Sequence, residues 1–240
     1  MSDMLRIALV GAAGRMGQTI IALAASENIE VFAKYDVGDR ITVNKANVMI
    51  DFSSAAATEQ ICAEATKSRV PLVIGTTGHS AEQRRMIEVA AQQIPILLSS
   101  NFSVGVNALF SLTERAAKLL GEGFDVEIVE MHHRMKQDAP SGTAKTLLEV
   151  LQRVRKTGKL RHGREGLVGE RDKSEIGIHS VRGGDVAGDH TVVFAGDGER
   201  VEVTHRASSR TIFARGALRA ACWIVGKPSG LYSMRDVLGL

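Results

Sequence analysis

Short apolar runs recur through the first hundred residues, separated by amphipathic stretches. Leu5 to Val10, Ile29 to Tyr35, Val48 to Phe52, Pro71 to Ile74 and Pro95 to Leu98 are brief and rich in Ile, Val and Leu, as buried strands are. Helical patterns lie between them: Ile20, Ile21, Leu23 and Ala24; a segment from about Thr58 to Ser68, with Ser53 and Ser54 as caps; and a segment from Ser80 to about Gln92. Strands alternating with helices predict a parallel, doubly wound sheet.

From Val104 the pattern changes. Ala108, Leu109, Leu112, Ala116, Leu119 and Leu120 form one stripe of a long helix, which reads as core. Phe124 to Met131 alternates as a strand. The helix after Thr143 carries Ala144, Leu147, Leu148 and Leu151, and ends near Gly158, read as its C-cap. Residues 158–175 are polar and Gly-rich and read as a loop. Ile176 to Val181, His190 to Phe194 and Val201 to Ala207 are strands joined by Gly183-Gly184-Asp185 and Gly196-Asp197-Gly198 turns. Strands that follow one another directly predict a mainly antiparallel sheet, a common oligomer surface. Arg210 to Val225 is a last helix, ended by Gly226. The fold class is α/β, a parallel-sheet domain plus a smaller mixed α/β domain.

Composition narrows the function classes. The chain has 240 residues, 44% hydrophobic and 24% charged, as in an ordinary globular protein of one or two domains. The net charge is +3, spread along the chain, and aromatic residues are 4%, so nucleic-acid binding by base stacking is disfavoured. No apolar stretch approaches the ~20 residues of a membrane helix, and the N-terminus enters a strand at once without a signal peptide; neither a membrane nor an export route is expected. Cys62 and Cys222 sit in apolar surroundings without metal-ligand spacing, which suits a reducing cytoplasm.

Two regions carry candidate chemistry. Gly11-Ala12-Ala13-Gly14-Arg15-Met16-Gly17 separates the first strand from the first helix. Glycines there permit a tight turn and close pyrophosphate approach at a helix N-terminus, although Ala13 stands where the common fingerprint has its second Gly. Asp36, about 20 residues on at the end of the second strand, is placed to accept ribose hydroxyls. Val37 follows it instead of an arginine, which favours NADH over NADPH; Lys34 and Arg40 leave NADPH open. Phe52, Gly75, Thr77 and Asn101 also fall at strand ends, where ligands of such sheets bind. The second region is Glu130 to Thr143, EMHHRMKQDAPSGT. His132, His133, Arg134 and Lys136 form a basic loop, and Ser141-Gly142-Thr143 opens a helix whose first N–H groups make an anion site. This suits a small, multiply anionic substrate that needs proton transfer. Adjacent histidines lack the spacing of a helical metal pair, so no metal is expected.

The glycine turn, Gly75-Thr76-Thr77-Gly78, NFSVGVN at Asn101 to Asn107, HHRMKQDAPSGT at His132 to Thr143 and HRASSR at His205 to Arg210 together resemble the dihydrodipicolinate reductase family, also called 4-hydroxy-tetrahydrodipicolinate reductase. The resemblance spans nearly the whole chain. It implies a Rossmann-like domain over 1–103, a substrate-binding and oligomerisation domain over 104–210, and a C-terminal helix within 211–240 that returns to the first domain. It also implies a homotetramer, NADH or NADPH as cofactor, and a cyclic imine dicarboxylate as substrate in the diaminopimelate route to lysine. His132 then matches a proton donor/acceptor and Lys136 a proton donor; His133 and Gly142-Thr143 match substrate contacts. Gly11 to Met16, Asp36, Gly75 to Thr77, and Ser99, Ser100, Asn101 and Phe102 match cofactor contacts. Only residues 37–47 separate Asp36 from the third strand, shorter than the family pattern. Two other readings stay open: a different nicotinamide-dependent imine or carbonyl oxidoreductase, and a nicotinamide-sensing protein without turnover.

Overall fold

The computed structural model describes residues 4–43, 45–156 and 158–240. Strand β1 (Leu5–Val10) leads through the glycine turn into α1 (Arg15–Ala24) and β2 (Ile29–Tyr35). Next come β3 (Val48–Asp51), α2 (Thr58–Ser68), β4 (Leu72–Ile74), α3 (Ala81–Ala91) and β5 (Pro95–Leu98). The chain continues through α4 (Val104–Leu120), β6 (Asp125–His132), α5 (Gly142–Arg155), β7 (Lys159–His162), β8 (Glu175–Arg182), β9 (Gly188–Gly196) and β10 (Glu199–Ala207). It closes with α6 (Thr211–Ile224), β11 (Gly230–Tyr232) and α7 (Met234–Leu238). Two compact units result: the chain up to Val104 together with Thr211–Leu240, and Gly105–Arg210.

The first unit holds a six-stranded sheet in the order β11-β5-β4-β3-β1-β2, parallel throughout. Side chains alternate faces along each strand. Ile7, Leu9, Val48 and Ile50 pack on one face with Ile20 of α1 and Ala217, Ala221 and Ile224 of α6. Ala8, Val10, Met49 and Leu72 pack on the other with Ile61 and Ala65 of α2 and Ile87 of α3. Both faces are covered, which is why the strands read as unbroken apolar runs. Ser80 caps α3 in a capping box with Gln83.

The second unit holds a mixed sheet in the order β10-β9-β6-β8-β7. Val126 and Ile128 of β6, Ile176 and Ile178 of β8, and Val192 and Phe194 of β9 pack with Leu109 of α4 and Leu147 and Leu151 of α5. The β10–β9 and β9–β6 ladders are antiparallel; β6–β8 and β8–β7 are parallel. The expectation of mainly antiparallel pairing therefore describes only one side of this sheet. β8 and β9 are consecutive in the chain yet not neighbours, because β6 lies between them.

Smaller expectations also change. Residues 158–175 are not all loop: they contain β7, whose KLRH sequence lacks apolar alternation because it forms an edge. Ser53 and Ser54 do not cap α2; a short 3₁₀ turn at Ala55–Ala57 intervenes, and the Ser53 hydroxyl bonds Asp51. α5 stops before Gly158, with Lys156 as C-cap at φ 56°. Cys222 is exposed, whereas Cys62 is buried. The helix read as the last is α6, and β11 and the short α7 follow it.

Candidate functional site

At the carboxyl ends of β1 to β5, the sequence places its small polar turns. Gly11 adopts φ +82°, and a Cβ there would overlap the Phe52 carbonyl. A Cβ on Gly17 would overlap the Gly11 carbonyl. These glycines let β1, β3 and α1 close on one another, while Ala13 is exposed and tolerated. α1 has Gly14 as its N-cap, with no side-chain cap and no acid in its first turn, so its first N–H groups suit a phosphate. The Asp36 carboxylate accepts hydrogen bonds from the Ala13 N–H at 3.0 and 3.1 Å, which ties the end of β2 to the glycine turn. Beside it lies a recess of about 200 Å³ lined by Val10, Asp36, Val37, Ser53, Ser54 and neighbouring residues. A donor set of turn amides, one carboxylate and a recess fits a dinucleotide. A larger groove of about 620 Å³ lies between α2 and α3, away from the strand ends.

The other expected cofactor residues gather at the same edge. Phe52 and Phe102 pack with ring centroids 5.5 Å apart. Thr76 is buried; its hydroxyl accepts the Ser53 N–H at 3.0 Å. Thr77 is exposed beside Gly75. The Ser99 hydroxyl donates to the Asn101 carbonyl at 2.8 Å, and Ser100 is exposed. Asp51, not singled out from sequence, is 1% exposed. Burial pushes its carboxyl above the usual range, against bonds from Ser53 and Thr76. An acid closing the apolar run VMIDF was the available signal.

In the second unit, β6 delivers His132 and the loop after it delivers His133 and Lys136. The loop is pinned by the His133 N–H to Val186 O at 2.8 Å and the Lys136 N–H to His133 O at 3.1 Å. The His133 Nε2 lies 2.9 Å from the Arg210 guanidinium. The Lys136 ammonium donates to Asp138 at 2.8 Å, which lowers the Asp138 pKa. Ser141 is 2% exposed and serves as the α5 N-cap. Its hydroxyl accepts the Ala144 N–H at 3.2 Å and lies 3.1 Å from His190 Nε2. The side chain is thus committed to the cap. Gly142 and Thr143 follow at the helix start, with open space where a Cβ on Gly142 would lie.

Beneath His132 sits a group that the sequence reading passed over. Glu130 is fully buried. One of its oxygens lies 2.6 Å from His132 Nδ1 and takes an Arg182 N–H at 2.8 Å. The other takes a second Arg182 N–H at 2.9 Å and the Ser141 backbone N–H at 3.1 Å. Burial alone would raise the Glu130 pKa, but Arg182 and His132 hold it at about 2. Burial lowers the His132 pKa, with Glu130 partly opposing. His190 stands edge-on to His132 with centroids 5.1 Å apart, and burial and His132 bring its pKa down to about 4. Near neutral pH the cluster is therefore an ionised pair, Glu130 and Arg182, holding two neutral imidazoles. Glu130 was legible as the same-face neighbour of His132 two residues earlier on a strand; Arg182 and His190 carried no such signal.

Comparison with known proteins decides the family. The family model "Dihydrodipicolinate reductase, N-terminus" matches residues 5–102, and "Dihydrodipicolinate reductase, C-terminus" matches residues 105–238. The chain belongs to the dihydrodipicolinate reductase family. A 4-hydroxy-tetrahydrodipicolinate reductase of Akkermansia muciniphila is 53% identical over 243 residues, covering 99% of each chain. One from Thiobacillus denitrificans is 44% identical over 265 residues, covering 98% of each. The solved structure of a dipicolinate-bound dihydrodipicolinate reductase from Paenisporosarcina sp. TG-14 is 25% identical, with a TM-score of 0.80 over 96% of this chain and 97% of that one. Membership in this reductase family makes the chain an enzyme, a nicotinamide-dependent oxidoreductase of Rossmann-like fold. Among the described residues, no helix is long and apolar enough to cross a membrane.

Proposed function

We infer that the chain reduces 4-hydroxy-tetrahydrodipicolinate, by way of dihydrodipicolinate, to tetrahydrodipicolinate in the diaminopimelate route to lysine. The observation that carries this is the second unit's basic site. A neutral imidazole, an ammonium group and a capped helix start converge in the sequence HHRMKQDAPSGT, in a chain 53% identical to a named reductase. A ring with two carboxylates suits His133, Lys136 and the N–H groups at Gly142 and Thr143.

Water leaves the 4-hydroxy ring, and reduction then adds a hydride and a proton to the unsaturated ring. A bound reduced nicotinamide would supply the hydride. Lys136 supplies the proton, moving from Asp138 to the substrate, and His132 takes up and returns protons at Nε2. The glycine turn with Gly14, Arg15 and Met16 and the Asp36 carboxylate would hold the dinucleotide, together with Phe52, Gly75 to Thr77 and Ser99 to Phe102. Asp36 followed by the exposed Val37 favours NADH, since no basic side chain directly follows the carboxylate to balance a 2′-phosphate. Two free thiols suit a reducing cytoplasm. Homotetramer assembly through the open face of the second sheet is supported by the exposed Val129 and Val181 on adjacent strands, and light scattering after gel filtration checks it.

The test is a coupled assay in which pyruvate and aspartate semialdehyde condense to generate the substrate in place, with NADH and NADPH run in parallel. Consumption of reduced nicotinamide that is lost in Lys136→Ala supports the reading. No consumption with either cofactor, with nicotinamide binding intact, overturns it.

A further inference from the structure

The proton-handling imidazole at the site is neutral by burial, so what it does depends on which nitrogen carries its hydrogen. His132 Nδ1 lies 2.6 Å from the fully buried Glu130 carboxylate. An ionised carboxylate only accepts hydrogen bonds. The hydrogen of a neutral His132 therefore sits on Nδ1, and Nε2 keeps its lone pair. Glu130 is itself held in place from the neighbouring strand: Arg182 grips both of its oxygens at 2.8 and 2.9 Å and also donates to the Asp138 carbonyl at 2.7 Å. The same carboxylate takes the Ser141 N–H at 3.1 Å, so the imidazole and the start of α5 share one anchor.

We propose that Glu130, clamped by Arg182, is a positioning residue that fixes His132 in the Nδ1–H form and locks its ring against the start of the substrate-binding helix. The proposal rests on the reductase reading for its kinetic consequence but not for the tautomer. When Nε2 takes a proton, the new imidazolium faces Glu130, and Arg182 keeps that carboxylate ionised so that it can balance the charge. The other charged or titratable groups acting on His132 are His190 on β9 and Lys136 in the loop, and neither bonds Nδ1. The arrangement explains an otherwise costly feature: a carboxylate with no exposure, satisfied by His132, Arg182 and the Ser141 N–H, with Ser180 adding a further hydrogen bond.

Glu130→Gln gives the sharpest test. Although the second Arg182 N–H loses its acceptor, the amide has the same shape and still accepts the Ser141 N–H and one Arg182 N–H through its oxygen. Its NH₂, turned to Nδ1, donates and requires the lone pair there, which moves the histidine hydrogen to Nε2. Long-range ¹H–¹⁵N spectra of the ligand-free protein at pH 7.5 read the tautomer directly, with the His132 signals assigned by their loss in His132→Asn. The expected result is Nδ1–H in the wild type and Nε2–H in Glu130→Gln. In the coupled assay kcat should drop about 10-fold or more with an altered pH profile, while KM for reduced nicotinamide stays within about 3-fold. Glu130→Asp, which keeps a carboxylate, should retain the wild-type tautomer and recover part of kcat. It also serves if Glu130→Gln does not fold. A wild-type His132 with its hydrogen on Nε2, a tautomer unmoved by Glu130→Gln, or a switched tautomer with unchanged kcat and pH profile would each overturn the proposal. A wild type that shows no turnover while its tautomer is Nδ1–H would instead count against the reductase reading alone.

Discussion

Gly188 lies against the Nε2 edge of His132: a Cβ at position 188 would stand 3.0 Å from His132 Nε2 and 3.3 Å from Cδ2, at a backbone φ of +154°. The first residue of β9 is therefore small because the imidazole of β6 occupies the space. Gly188→Ala is expected to push the ring off its bond to Glu130 and crowd Nε2, the nitrogen proposed to exchange protons. We expect kcat to fall about 10-fold or more, with a stability loss of about 1–3 kcal/mol from overpacking and backbone strain. Steady-state kinetics beside urea unfolding separate the two effects; unchanged turnover would place Nε2 outside the reaction.

Among the described residues, Lys136 makes one ion pair, to Asp138, whose side chain is 56% exposed. It is thus free to exchange that partner for a substrate at little energetic cost, since exposed pairs contribute about 1 kcal/mol or less. Lys136→Ala should lower kcat by about 10²- to 10⁴-fold and leave nicotinamide binding, read by fluorescence, within about 3-fold. Near-normal turnover would remove Lys136 as the acid.

The buried imidazole of His190 gives stability a definite pH dependence. Its pKa is about 4 in the folded chain against 6.5 in the unfolded one. Between those values the unfolded chain binds a proton that the folded chain refuses. Stability therefore declines as pH falls from 6.5 towards 4, by up to about 3 kcal/mol at ~1.36 kcal/mol per unit. His132 and His205, also lowered by burial, add in the same direction. Glu130, with a pKa of about 2 against 4.5, acts in a lower window: its stabilisation is complete above 4.5 and is lost as pH falls through 2. Urea midpoints should drop between pH 7 and 5, and less steeply in His190→Asn. Equal midpoints at both pH values would contradict this account.

The proposed preference for NADH rests on the position after Asp36. Val37 is fully exposed beside the Asp36 recess, so a longer side chain fits without repacking. Val37→Arg is expected to shift the NADPH-to-NADH ratio of kcat/KM by about 10-fold towards NADPH, the effect of one charge-assisted contact of about 1.5 kcal/mol. A ratio unmoved by the substitution would locate the discrimination elsewhere, with Lys34 and Arg40 the next to vary.

The sequence by itself determined the alternation of strand and helix in the first unit, the glycine turn, and the residues of the basic loop. These are local properties: a strand buried on both faces is largely apolar, Gly11 and Gly17 sit where a Cβ would overlap backbone, and α5 announces its start with Ser141. Tertiary structure alone decided which side chains stand behind His132. In the ladders of the second sheet, His132 pairs with Arg182 and Glu130 pairs with His190, fifty and sixty residues away along the chain. Strand register, not local composition, brings them together. The same reason hid the parallel half of that sheet. β6 inserts between β8 and β9, and β7 and β11 are edge strands of four and three residues, too short to show a period. A motif tells which side chains can do chemistry. The ladders decide which neighbours set their charge, their tautomer and their aim.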